Sequence, residues 1–189
     1  MYNSSPRYQS TADIKWRTGL ASAVTGQLNK IWRSKNVTVG MKAKLFETLV
    51  IPVLLYGSEC WCLRQEDERR ILAAEMSWIR RILGVSRMER KRNVEIRQQL
   101  GLKETVIDRV RKRRLTRFGH VTRMDGNRLP LKALHCYIRR NRSRGRQRKK
   151  WIDNVREDLE LCNEDLTTAT VLVRDRSRWR RLVETSSSV

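Results

Sequence analysis

The chain has 189 residues, and its 42 lysines and arginines against 20 aspartates and glutamates give a formal net charge of +22 at pH 7. An apolar content of 39% can build a core, which excludes a wholly disordered chain, and nine glycines with three prolines exclude collagen-like or proline-rich material. No run of about 18 apolar residues is present, so no membrane span is expected, and the polar stretch Met1 to Trp16 lacks the apolar core of a secretory signal.

The pattern predicts an all-α protein with no strand. Residues 1–11 read as a disordered start. Thr11 is placed to cap a helix from about Ala12 to Arg33, with Ile14, Ala21, Val24, Leu28, Ile31 and Trp32 on one side. Thr38 caps a second helix from Val39, and Pro52 should kink or end it near Ile51. The run Leu49 to Tyr56 is almost wholly apolar and should be buried. A third helix, about Gln65 to Leu83, carries a broad apolar arc and ends at Gly84. Its residues Glu66, Asp67 and Glu68 fan around the helix and read as a solvated face.

Asn93 is placed to cap a short helix to Leu100, and Gly101 turns the chain into a longer helix from about Lys103 to Met124. Ile107, Val110, Leu115, Phe118 and Val121 make its inner face, with Arg109, Lys112, Arg113 and Arg123 directed away from it. Arg114 falls inside the apolar sector, so it should pair with a carboxylate or with backbone carbonyls. The short helix, glycine turn and basic helix together outline either a helix-turn-helix or an ordinary helical hairpin. Pro130 can open a helix to Cys136, residues 139–150 form a basic loop, Trp151 starts an acidic amphipathic helix to about Leu161, and a last helix covers about Thr168 to Val183. The divisions expected are 12–84, 85–138, 139–150 and 151–184, with a disordered tail at 185–189.

The charge is concentrated. Residues 80–150 carry +20 of the net charge, and 31 of the 42 basic residues are arginine. The planar arginine fork donates two parallel hydrogen bonds to a phosphate, so such a segment is the footprint of a nucleic-acid binder. The alternative is a solvated basic surface that attracts any anion. Four cysteines without a disulfide framework point to reduced thiols and an intracellular location, nuclear or cytoplasmic. Cys60, Cys62, His120, His135 and Cys136 could supply zinc donors, but their spacing is not that of a knuckle or finger. Cys60 and Cys62 abut the apolar run and should be buried and inert. No glycine-rich phosphate loop and no paired carboxylates stand out.

Several strings carry a resemblance. Leu54 to Trp61 (Leu-Leu-Tyr-Gly-Ser-Glu-Cys-Trp) resembles the Leu-Tyr-Gly-Ser-Glu-Thr-Trp block of LINE-type (non-LTR) retrotransposon endonuclease–reverse transcriptases. Arg17 to Ala21 with Ile31-Trp32, Ile79 to Val85, Phe118-Gly119-His120-Val121 with Arg123-Met124, Gly145-Arg146 with Trp151, and Asp175-Arg176 with Trp179-Arg180 resemble further blocks, in the family's order, across about residues 12–184. Cys60 stands for the usual threonine and Phe118 for the usual tryptophan. The resemblance implies the thumb and C-terminal region of an RNA-directed DNA polymerase. Residues 12–84 would be the thumb-like bundle, with fingers and palm upstream.

The palm's paired aspartates, which hold magnesium in that family, have no counterpart here, since no Asp-Asp pair occurs in the sequence. The resemblance thus implies a truncated reading frame with no catalytic residue and no cofactor in this chain. It would bind RNA or DNA through backbone contacts, with no membrane and no small-molecule substrate. Charge and position select Arg109, Lys112, Arg113, Arg123, Arg142, Arg144, Arg146, Arg148, Lys149 and Lys150 as phosphate contacts. A helical protein-interaction adaptor of retrotransposon origin is the alternative.

Overall fold

A computed structural model describes residues 9–136 and 149–186. Among the described residues there are helices and no strands. The chain divides into two compact units, residues 1–58 with 63–107, and residues 59–62 with 108–189. The expected boundary at 84–85 lies inside the first unit.

In the first unit, α1 (Gln9–Gln27) and α2 (Asn29–Arg33) are followed by α3 (Val39–Leu45), α4 (Ile51–Leu55), α5 (Gln65–Leu83) and α6 (Asn93–Leu100). α1 packs against α4 and α5, and α5 against α6. Ile14, Ala21, Phe46, Leu54, Ile71 and Ile79 are fully buried, and each of the isoleucine, leucine and phenylalanine side chains contributes roughly 1.5–3 kcal/mol of transfer free energy. Phe46 meets Trp78 edge-on, with centroids 6.5 Å apart. The two buried indoles keep their donors satisfied: Trp78 Nε1 donates to Ser22 Oγ at 3.1 Å and Trp32 Nε1 to the Thr25 carbonyl at 2.8 Å.

The helices differ from expectation at places where a side chain competes with the backbone. α1 begins at Gln9, and Thr11 is not its cap; the Thr11 hydroxyl donates to Asp67 Oδ2 at 3.2 Å. Asp67 is therefore not on a solvated face. It is buried, accepts from the Arg64 backbone N–H and pairs with Arg64 and Arg70. The irregularity expected near Ile51 is present: the helix changes type there, from a π-helical turn to α4, which begins at Ile51 and holds Pro52 in its first turn. The π-helical turn, Phe46–Val50, widens the ladder one residue ahead of α4, and Ile51 N–H donates to the Phe46 carbonyl. The wider turn accommodates a residue that has no N–H and whose ring crowds the preceding turn.

Within the run Leu49 to Tyr56, Val50, Ile51, Leu54 and Leu55 are buried, whereas Leu49 and Tyr56 are exposed. The Tyr56 ring instead carries the Arg17 guanidinium 4.4 Å from its centroid. Arg92, not Asn93, holds the N-cap position of α6, and Asn93 Oδ1 accepts from Arg80 Nη2 at 3.2 Å. Gly84 ends α5 at φ 69° and Gly101 ends α6 at φ 76°, left-handed positions that a Cβ disfavours.

α7 (Val106–Thr122) leads from the first unit into the second, which also holds α8 (Leu129–His135), α9 (Trp151–Glu160), α10 (Leu166–Leu172) and α11 (Arg176–Thr185). Its core comprises Leu115 and Phe118 of α7, Val155 and Leu159 of α9, and Ala169, Val173, Trp179 and Val183. The single last helix expected over 168–183 is two helices. Asp175 accepts from the backbone N–H groups of Ser177 at 3.0 Å and Arg178 at 3.1 Å, which caps α11 and stops α10 short of it.

Candidate nucleic-acid interface

α7 carries the sequence Arg-Val-Arg-Lys-Arg-Arg-Leu-Thr-Arg from Arg109 to Arg117, and the helical period sorts these cations by role. Arg114 turns inward and is 1% exposed. Its Nη1 lies 3.0 Å from Asp158 Oδ2 on α9, so the pairing expected of a buried arginine is present. Arg111 joins the same network, 3.3 Å from Asp108 and 3.7 Å from Asp158. Two arginines of the basic run are thus neutralised by two aspartates and hold α7 against α9.

Arg113, Arg117 and His120 follow at spacings of four and three residues, so they fall on one face of the helix. With Thr116 and Glu59 they line an open concavity of about 330 Å³. Arg113 and His120 are exposed; Arg109 and Lys112 are half-buried. The Thr116 hydroxyl donates to the Lys112 carbonyl at 2.7 Å, within its own helix. The concavity therefore offers three basic side chains facing one carboxylate.

Glu59 also fixes where the distal basic residues lie. Its carbonyl accepts from Trp151 Nε1 at 2.8 Å, and the Cys62 thiol donates to the Lys149 carbonyl at 3.1 Å. Residues 59–62 thus form a strap that joins the α7 concavity to Lys149–Trp151. Lys149 Nζ pairs with Glu157 Oε2 at 2.5 Å, and Lys150 is exposed. Cys60 is exposed and not buried as expected, because the strap leaves the apolar run and crosses to the second unit.

Arg123 lies elsewhere. Its Nη1 donates to the Val173 carbonyl at 3.0 Å, and the side chain borders a second cavity, with Arg174 and Arg176. Burial first, and then the neighbouring Arg176 charge, holds its pKa below the ordinary arginine value. Arg142, Arg144, Arg146 and Arg148 lie outside the described residues. The structure thus places Arg113 on the concavity that Glu59 of the strap also lines, and Arg123 on the other cavity. Arg117 and His120 were not singled out as contacts in the sequence, although their spacing from Arg113 was there to be read.

His120 and His135 line different cavities. Among the described residues no three His, Cys, Asp or Glu side chains converge as metal donors, and no helix is long and apolar enough to cross a membrane.

No protein-family profile matches the chain, and no solved structure matches it. An uncharacterized transposon-derived protein of Caenorhabditis elegans is 27% identical over 167 residues, covering 82% of this chain. This chain spans 60% of that relative's length.

Proposed function

We propose that this chain binds the sugar–phosphate backbone of RNA or DNA without reading sequence. In this reading it is a non-catalytic helical module of the kind that follows the palm in non-LTR retrotransposon reverse transcriptases. The observation that carries the binding is the α7 concavity, where Arg113, Arg117 and His120 converge beside the strap that holds Lys149 and Lys150. Two arginine forks about one helical turn (~5.4 Å) apart present donors that match phosphate oxygens bidentately. The similarity to a transposon-derived protein supports the origin.

Photocrosslinking of the full chain to 4-thiouridine-containing RNA, with the sites mapped by mass spectrometry, tests the placement. Crosslinks on residues 109–120 and 149–156 are expected. Crosslinks confined to α1–α5, or none, would overturn it.

A second reading, a protein-binding adaptor, is favoured by Trp16, which is 66% exposed on α1. It predicts that Trp16→Arg abolishes concentration-dependent self-association in sedimentation, while RNA binding is unchanged.

A further inference from the structure

We propose that the larger cavity of the second unit is a docking groove for an acidic amphipathic helix of a partner protein. The cavity encloses about 820 Å³. Its half-buried apolar lining is Leu131 and Leu134 of α8, Ile152 of α9 and Leu166 of α10, and the buried Phe118 and Val173 border it. Val171, also on the lining, is 66% exposed. Its cations are Arg123, Arg174 and Arg176, His135 lies beside them, and no aspartate or glutamate lines it among the described residues.

The charge is arranged to meet an anion with an apolar body. Arg123 is fixed by its hydrogen bond to the Val173 carbonyl, so little side-chain entropy remains to be lost on pairing. Arg123 and Arg176 line the same cavity, so two like cations stand beside its apolar wall. Asp175, which lies between Arg174 and Arg176 in the chain, is committed to capping α11 and to Arg178, 3.5 Å away. No described lining residue supplies a carboxylate to Arg123 or Arg176, so acidic residues of a partner would complement them.

The lining selects a peptide over a nucleobase. The arginines of the rim can pair with a carboxylate or a phosphate alike, and the aliphatic area beside them favours a ligand with apolar anchors. The two hydroxyls present, Thr122 and Thr170, already donate to the Phe118 and Thr167 carbonyls at 2.9 and 2.7 Å. The Phe118 ring is 1% exposed and offers no stacking face. Aliphatic walls with a cationic rim suit the leucine-like anchors of a helix at i, i+3, i+4 and i+7, with acidic residues flanking them.

The test is fluorescence anisotropy on the full chain. The probe is a fluorescein-labelled synthetic helix with leucines at that spacing and glutamates between them. The control is a peptide of identical composition with the leucine spacing scrambled. The ordered peptide is expected to bind at least tenfold more tightly than the scrambled one. Val171→Glu and Arg176→Glu should each weaken it about tenfold, and excess oligouridylate should not displace it. Arg176 is exposed and opens α11, where a glutamate suits the helix N-terminus, so this variant keeps its fold; circular dichroism checks it. Equal binding of both peptides would reduce the groove to a general polycation, and displacement by oligouridylate would assign it to nucleic acid. Either result, or Arg176→Glu without effect, overturns the proposal.

Discussion

Gly119 and Trp179 are fitted to one another: a Cβ built on Gly119 would stand 2.7 Å from Trp179 Cδ1 and 2.8 Å from Cε2. The glycine lies inside α7, where it costs about 1 kcal/mol relative to alanine. The cost is offset by the indole, which is 4% exposed, lies with its centroid 5.9 Å from that of Phe118 at a tilt of 50°, and completes the core of the second unit. Two strings that lie sixty residues apart, Phe118-Gly119-His120 and Trp179-Arg180, are thus one packing contact.

Gly119→Ala should therefore destabilise the second unit in spite of the better helix propensity. Overpacking of this kind costs about 1–3 kcal/mol, so after the propensity gain of about 1 kcal/mol a net loss of up to about 2 kcal/mol is expected in urea unfolding followed by circular dichroism. Trp179→Phe combined with Gly119→Ala should recover part of the loss. A Gly119→Ala variant more stable than the parent would show that the indole moves aside freely.

The Arg114–Asp158 pair is 1% and 5% exposed on its two side chains. Asp158→Leu alone leaves a buried guanidinium facing apolar surface, and about 3–5 kcal/mol of stability should be lost. Arg114→Met with Asp158→Leu should lose much less. A full double-mutant cycle in urea reads the difference, and additive losses would mean that the two groups do not act as a pair.

The capping carboxylates set an acid limit. Hydrogen bonds from Thr168 hold Asp165 below the ordinary aspartate value of 3.8, and backbone N–H bonds, that of Arg178 foremost, do the same for Asp175. A depressed folded value means that the stabilisation is complete above about 3.8 and is lost as the pH falls through the lower folded value. Asp175→Asn keeps an acceptor without the titration. The stability difference between the parent and this variant should be flat from pH 7 to pH 5 and should shrink only below about 3.8. A difference that changes between pH 5 and 7 would contradict the assignment.

Much of the fold was legible in the sequence because the signals were local. Gly84, Gly101 and Pro130 mark helix ends that the backbone respects, and the inward position of Arg114 already demanded a carboxylate. Pro52 marks the change of helix type at Ile51, but the π-helical turn itself was not legible, because it involves residues on the N-terminal side that carry no breaker of their own. The division between α10 and α11 was hidden because Val171-Leu172-Val173 continues the apolar period into Asp175, whose capping role depends on the turn it makes. The candidate site was half legible. A stripe on α7 can be counted off at helical spacing, but the strap from Glu59 to Trp151 joins residues 92 positions apart, and no local pattern encodes it.

Glu59 is the one carboxylate lining the α7 concavity among the described residues. If phosphate is bound there, Glu59→Gln should tighten RNA binding by about two- to fivefold, in line with the ~0.2–1 kcal/mol typical of a solvent-accessible charge contact. The Trp151 bond to the Glu59 main chain is retained in that variant. Weaker binding by Glu59→Gln would show that the carboxylate organises the site rather than opposing the ligand.

The most direct test is a salt titration of binding to labelled single-stranded RNA, RNA–DNA hybrid and duplex DNA, comparing the parent chain with Arg113→Ala, Arg117→Ala. Backbone binding predicts a linear fall of log affinity with log salt, and a slope shallower by about two in the double variant, one for each phosphate contact removed. Affinity should fall to a similar extent for every nucleic acid. An unchanged slope and affinity in the double variant would contradict the central claim and place any binding outside α7.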